Sequence, residues 1–365
     1  MNIQDHILYK KYTSKFDELK SCIQDKIHHG EGDVFTHTQM VMDALYSDED
    51  FLNIDDYSKK VLEYSVMLHD IEKPKTRLVE ENHVTHRKHA RYSSETALKF
   101  LTEMNEDINF IYDVVNLILY HGKPFWVSNK DNQYFEVIRL SFYTRNDLLY
   151  IFAKADLKGR ICDDYDTISE NLEYFKMYAQ ETNCFTKQFS FGTLTDKLNY
   201  FRSEEKFAYP LIPDLFDYKV KIMVGVPASG KSTYIKENLS EYYLISTDDL
   251  REKLNAGLDK KSQSIVFEEI YKEFSKCCRE HTDFVFDATN VRYDLRKKVI
   301  DYLMARKDGK PEIEIIWVRN KLSNCIKNNK TRNRTIDEKY LLKSYYGLQI
   351  PTATETHKFK IVDNG

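Results

Sequence analysis

The chain is poor in the residues that build fibrous, linker-rich or cross-linked proteins, with 7 prolines, 11 glycines and 6 cysteines among 365 residues. Without Pro/Gly-rich, low-complexity or repeated segments, it is neither collagen-like nor a disordered tether. Cys22, Cys162, Cys184, Cys277, Cys278 and Cys325 form no CxxC pair and no regular spacing. Neither a disulfide framework nor a cysteine zinc site is expected, and the thiols are expected to be reduced. No apolar run approaches the roughly 18 residues that membrane spanning requires. The start, "MNIQDHILYKKY", also lacks a signal peptide's apolar stretch and cleavage site, so a cytoplasmic protein with no membrane partner is expected.

What is present suffices for two folded domains, since 42% of the residues are hydrophobic and the length exceeds one ordinary core. The net charge of −4 conceals an asymmetry: residues 219–365 hold 28 Lys/Arg against 21 Asp/Glu, and residues 1–218 hold 26 against 37. A basic C-terminal half suits a polyanionic ligand, and an acidic N-terminal half suits cations.

The periodicity changes along the chain. Up to about residue 180, apolar stripes of period 3.6 recur in "FTHTQMVMDALY", "KKVLEYSVMLHD", "SSETALKFL", "IYDVVNLILYH" and "NDLLYIFAKADLKGR", predicting an all-helical domain over 1–182. From residue 219, short β-rich runs ("KVKIMV", "YYLIS", "DFVFD", "EIEIIWV") alternate with helical segments, predicting an α/β domain with a parallel sheet over 219–365. Residues 183–218 are expected to connect the two, and their scattered aromatics argue for packing on a domain.

In the second domain, "GVPASGKST" matches GxxxxGK[ST] between a predicted strand and a predicted helix. The expected phosphate cradle comprises Gly225, Pro227, Ala228, Ser229, Gly230, Lys231, Ser232 and Thr233. Lys231 would reach the β and γ phosphates of ATP or another NTP, and the Ser232 hydroxyl would bind Mg²⁺. Beyond the next strand, "TDDLR" offers Asp248 to take a proton from an attacking hydroxyl and Arg251 to hold an acceptor phosphate. Capping of the following helix by Thr247 or Asp248 is the competing reading. Asp287 ends a third strand in "DFVFDATN", where it would organise metal or substrate or cap a loop. The segment 319–335 carries six Lys/Arg and no acid. It reads as a basic lid, in which Arg332 or Arg334 offsets charge on a transferring phosphate, or as a solvated face.

These motifs together resemble the polynucleotide 5′-hydroxyl kinases of phages and bacteria over about residues 219–350. The resemblance implies Asp248 as general base, Arg251 on the acceptor phosphate and Asp287 beside the acceptor. Where that family shows two lid arginines four apart, this chain has Asn328 and then Arg332, leaving Lys327, Lys330 or Arg334 for the first place.

In the first domain, His37, His69, His121 and Asp156 each fall on a mainly apolar helical stripe. A carboxylate at such a position is costly unless paired or metal-bound, whereas a single buried histidine is ordinarily a hydrogen-bonded core residue. Four together suit an imidazole and carboxylate shell for a transition metal. Lys73 follows Asp70 by three and Arg160 follows Asp156 by four, so each shares a helix face with a candidate ligand and is suited to grip a phosphate. Solvated helix-end cations are the alternative.

The order His37, His69-Asp70, Asp156 resembles the HD phosphohydrolase superfamily, whose helical bundle holds one or two metals, here Zn, Ni, Co, Mn, Cu or Fe. In a two-metal form Asp70 would bridge. His121 qualifies as a further ligand, and His89 is preferred over His83 or His86 because the family places this histidine about four residues before a small-residue pair, as in "HARYSSE".

With both halves joined, the chain resembles the bacterial bifunctional HD polynucleotide kinase-phosphatases, which heal broken nucleic-acid ends. The resemblance implies NTP-dependent phosphorylation of 5′-hydroxyl RNA or DNA ends, and removal of 2′,3′-cyclic, 2′- or 3′-phosphates. Its products would suit a downstream ligase. The competing expectations are a nucleoside or nucleotide kinase fused to a nucleotide phosphohydrolase, and a non-catalytic ATP switch with a metal-binding sensor.

Overall fold

A computed structural model describes residues 1–80, 83–203, 211–257, 259–332 and 334–364; of Lys260 only the backbone is described. The chain forms two compact units, Met1–Ser190 and Phe191–Gly365. The expected connector is thus divided between them, with residues 204–210 outside the described residues.

The first unit is built on helices α1 (Val34–Tyr46), α2 (Asp56–Leu68), α3 (His89–Glu103), α4 (Ile108–Tyr120), α5 (Asn146–Lys158) and α6 (Tyr165–Glu181). Their starts are specified locally: Asp33, Asp55 and Asp107 accept hydrogen bonds from backbone N–H groups of the first turns of α1, α2 and α4. Helix α5 is central, packing against α1, α2, α4 and α6. Leu149, Phe152, Ala153 and Asp156 are all fully buried on it. Burying the Phe152 ring alone is worth about 2–3 kcal/mol, and this apolar setting is the one in which Asp156 must find compensation.

An antiparallel hairpin of β1 (Arg77–Glu80) and β2 (His83–His86) corrects the all-helical expectation. Its strands are only four residues long, and Leu78 and Val79 are exposed, so no buried alternating face announces them.

The second unit opens with α7 (Leu194–Arg202), capped by the Thr193 hydroxyl. It carries a five-stranded sheet of β3 (Tyr218–Val224), β4 (Tyr243–Ser246), β5 (Phe284–Asp287), β6 (Pro311–Arg319) and β7 (Lys358–Asp363). The order is β4-β5-β3-β6-β7 and every pairing is parallel. Central β3 reads as a near-continuous apolar run because both faces are covered. Strand β7 is an addition to the four expected strands; it is a charged edge strand with half or more of its side chains solvated. The crossover segments include α8 (Lys231–Asn238), α9 (Thr247–Lys253), α10 (Lys260–Glu280), α11 (Tyr293–Met304), α12 (Leu322–Thr331) and α13 (Glu338–Tyr346). The carboxyl ends of β3, β4 and β5 deliver the phosphate loop, "TDDLR" and Asp287 to one edge, where ligands of such sheets bind.

Candidate functional sites

In the first unit, six side chains from five segments converge. His37 lies on α1, His69 and Asp70 follow α2, His89 opens α3, His121 follows α4 and Asp156 lies on α5. All are buried except His89, which is partly exposed. His37 Nε2 is 3.1 Å from Asp156 Oδ1 and 3.7 Å from Asp70 Oδ2. His69 Nε2 is 3.1 Å from Asp70 Oδ2, and His89 Nε2 is 3.4 Å from Asp70 Oδ1. Two sets can hold an ion, His37/His69/Asp70 and Asp70/His89/His121, with the ligand atoms of each set within 4.8 Å of one another. Asp70 belongs to both and Asp156 to neither; the Asp156 carboxylate faces His37 Nε2 and Arg160 instead.

The opposite ring edges show why the histidines point inward. The Nδ1 atoms of His69, His89 and His121 meet the carbonyls of Val66, His86 and Ile118 at 2.7, 2.8 and 2.7 Å. A carbonyl only accepts, so each Nδ1 carries a proton and each Nε2 is the atom turned to the cluster. Burial, then the neighbouring His69 and His89, pushes His121 down to about 3, which keeps it neutral. Burial opposes ionisation of Asp70 and Asp156, yet His69 and Lys73 hold Asp70, and Arg160 and His37 hold Asp156, well below the usual carboxylate range.

The donor set fits a borderline transition metal rather than a hard all-oxygen cation. The strongest sign is that His37 Nε2, His69 Nε2 and Asp70 Oδ1 are buried and crowd together without a well-directed hydrogen bond. Such orphans are costly in a packed interior unless something else occupies them.

Lys73 and Arg160 are not solvated helix-end cations. Lys73 Nζ is buried, 2.7 Å from Asp70 Oδ2 and 2.6 Å from Gln24 Oε1. Arg160 pairs with Asp156 through Nε at 3.2 Å and stacks its guanidinium over Phe125. His86 stays outside the two ion sets; its Nδ1 donates to the Lys73 carbonyl at 3.0 Å. The periodicity reading missed His29 and Glu31, which face His37 from the preceding turn. The polar run "HHGEGD", immediately before α1, was the available signal.

In the second unit, the loop after β3 has the tight curvature that phosphates require. Ala228 and Gly230 take left-handed φ values of 62° and 106°, and a Cβ on Gly230 would lie 2.4 Å from Asn364 Nδ2. Pro227 and Ser229 are buried within the turn, and Thr233 is exposed in the first turn of α8. Lys231 Nζ, also buried, folds onto the Gly225 and Val226 carbonyls at 2.9 and 3.1 Å. Burial lowers its pKa. Ser232 Oγ donates to Asp287 Oδ2 at 3.4 Å, which brings the two expected magnesium-side groups together. Burial raises the Asp287 carboxyl pKa, with Lys231 opposing and Asp248 adding to the shift.

The competing cap reading for Thr247 and Asp248 does not hold, because Ser246 Oγ accepts from Asp249 N–H and caps α9. The Asp248 carboxylate is exposed, 3.8 Å from the equally exposed Arg334 guanidinium. Arg251 is turned to the Gly257 carbonyl at 2.5 Å. Helix α12 is no free basic face: Cys325 packs against Val226, and Asn328 Nδ2 donates to the Ala228 carbonyl at 3.3 Å. Arg332, just beyond it, is close enough to depress Lys231 further by charge repulsion. Asn320 and Asn364 both donate to the Ser229 carbonyl, a clamp that the motif does not encode.

Residues 220–343 match the family model described as an AAA domain. With the strand–loop–helix geometry and the parallel sheet, this defines the second unit as a P-loop α/β domain. Among solved structures, the chain is similar to a candidate kinase from Chloroflexus aurantiacus, at 16% identity over 40% of this chain and 88% of that one, with a TM-score of 0.34. It is also similar to a gluconokinase from Sinorhizobium meliloti, at 14% identity over 40% and 83%, with a TM-score of 0.30. No curated protein matches the chain. No helix among the described residues is long and apolar enough to cross a membrane.

Proposed function

We propose that this chain is a bifunctional nucleic-acid end-healing enzyme. The second unit transfers the γ-phosphate of an NTP to a 5′-hydroxyl end. The first unit is an HD-type phosphohydrolase that removes 2′,3′-cyclic, 2′- or 3′-phosphates. The observation carrying this reading is the convergence of His37, His69, Asp70, His89, His121 and Asp156, three of whose inward atoms lack a well-directed hydrogen bond, beside two buried or paired cations.

One or two divalent transition-metal ions held by His37, His69, Asp70, His89 and His121, with Asp156 beside His37 as the further candidate, would supply Lewis acidity toward phosphoryl oxygens and acidify a water. The chain's own groups do the rest. Lys73 and Arg160 bind the phosphate oxygens and offset charge as the ester bond breaks, and the Nδ1–H···O=C bonds keep the histidines in register. In the kinase unit, Lys231 swings from its carbonyl partners onto the β and γ phosphates, with Ser232 and Asp287 placed to hold Mg²⁺. Asp248, free of capping duty, takes the proton of the attacking hydroxyl. Arg251 and Arg334 contact the acceptor and Arg332 the transferring phosphate.

The deciding assay uses oligonucleotides carrying a 5′-hydroxyl and a 2′,3′-cyclic phosphate, with γ-labelled ATP and a series of divalent metals. Label on the 5′ end and loss of the cyclic phosphate are expected. Lys231→Ala should abolish only the first, and His69→Ala or Asp70→Ala only the second. Label appearing on a free nucleoside and never on the oligonucleotide would replace this reading with a small-molecule kinase.

A further inference from the structure

Beside the six converging residues stands the Glu31 carboxylate. It is buried, in the turn before α1, and makes three contacts. Oε1 lies 2.8 Å from His29 Nδ1 and 3.0 Å from His37 Nδ1, and Oε2 accepts from the Ile161 N–H at 2.9 Å. The Gly159 carbonyl also faces His37 Nδ1, at 3.0 Å. Both partners of that nitrogen are acceptors, so it carries a proton, and Nε2 is the atom turned toward Asp70 and Asp156.

The same carboxylate reaches the other side of the site. Gly159 and Ile161 flank Arg160, and the Gly30 N–H donates to the Ile161 carbonyl at 2.7 Å. A Cβ on Gly30 would stand 3.0 Å from that oxygen, so the two segments are held at close approach. Through its two oxygens, Glu31 therefore ties a candidate metal ligand to the backbone that aims a candidate phosphate contact.

We propose that Glu31, steadied by His29, is the positioning residue of the first site, holding, together with the Gly159 carbonyl, the ring angle of His37, and holding the placement of Arg160. This rests on the metal-dependent reading above. Carboxylates behind metal-bound imidazoles typically change metal affinity about 10–100-fold. A separate ion between His29, Glu31 and His37 is the other use of this cluster. It would require the His37 Nδ1 lone pair, and the Gly159 carbonyl meets a proton there.

The test compares the full chain with Glu31→Gln and Glu31→Leu. Co²⁺ affinity is measured by chelator competition, the Co²⁺ ligand-field spectrum is recorded, and thermal unfolding verifies the fold. Glu31→Leu should weaken Co²⁺ binding about 10–100-fold and alter the spectrum. Glu31→Gln, whose amide oxygen can still stand beside His37 Nδ1, should recover part of the affinity and remain about tenfold weaker than the parent. Phosphoesterase KM should rise in both as Arg160 loses its anchor, while kinase turnover stays unchanged. Unaltered affinity and spectrum in both variants overturn the role of Glu31 alone. A parent protein that binds no transition metal overturns the metal-dependent reading, and this inference with it. If Glu31→Leu does not fold, Glu31→Gln decides by the same criterion, unchanged affinity counting against.

Discussion

Lys73 Nζ lies 2.7 Å from Asp70 Oδ2, an ion pair buried three residues along the turn that follows α2. Lysine there is not needed to hold an ion, because it offers no lone pair when charged, but it is well placed to meet a phosphate oxygen beside one. Lys73→Ala should lower phosphoesterase turnover by about 10²–10³-fold, the loss that follows removal of one preorganised charge. Metal content, measured by elemental analysis, should not change. Simultaneous loss of metal and turnover would instead make Lys73 a counter-ion for Asp70.

Because Ser246 caps α9, the Asp248 carboxylate can be neutralised without disturbing the helix start. Asp248→Asn should cut 5′-kinase turnover about 10²–10⁴-fold, as expected for loss of a general base. ATP affinity by calorimetry should match the parent, and stability should shift by no more than about 0.5 kcal/mol. Turnover near that of the parent would remove Asp248 from the chemistry.

Gly230 sits at φ 106°, where an L-residue is strained by about 1–2 kcal/mol, and its Cβ would press on Asn364. Gly230→Ala should weaken ATP binding at least about tenfold, corresponding to about 1.4 kcal/mol. Phosphoesterase activity should persist. Parent-like nucleotide affinity would mean that the loop binds phosphate in another shape.

The metal-free first unit should be acid-labile over a defined interval. Burial pushes His6 and His86 down to about 4, and His29 and His121 down to about 3. Below pH 6.5 the unfolded chain takes up protons at these positions and the folded chain does not. Stability therefore rises with pH across about 3 to 6.5, by up to about 1.4 kcal/mol per pH unit for each group. His37 runs the other way: burial opposes protonation, but Asp156 and Glu31 raise its pKa, so its contribution is present at low pH and lost as pH rises. Four groups outweigh one, and the unfolding midpoint of the chelated protein should fall between pH 6.5 and 4. A flat midpoint over that range would contradict the neutral assignment of these rings.

Several parts of this molecule follow from local sequence because local rules specify them. "GVPASGKST" between an apolar run and a helix dictates the loop, since only glycine accepts a position such as 230 without strain. Period-3.6 stripes placed His37, His69, His121 and Asp156 on buried helix faces, and the side chains are buried as those stripes require. Other features depend on chain segments far apart in sequence. Both His86 and His89 turn Nδ1 to a backbone carbonyl, and the turn between them brings the Nε2 of His89 to 3.4 Å from Asp70 while His86 joins neither ion set. The contact of Glu31 with Ile161 spans 130 residues, and the clamp of Asn364 on Ser229 spans 135. Periodicity reports which face of an element is buried, but a hydrogen bond depends on ångström distances between atoms of different elements, and these are set only once the units have packed. For the same reason β7 and the β1–β2 hairpin escaped the pattern: none of their residues is fully buried, and pairing rather than burial defines them.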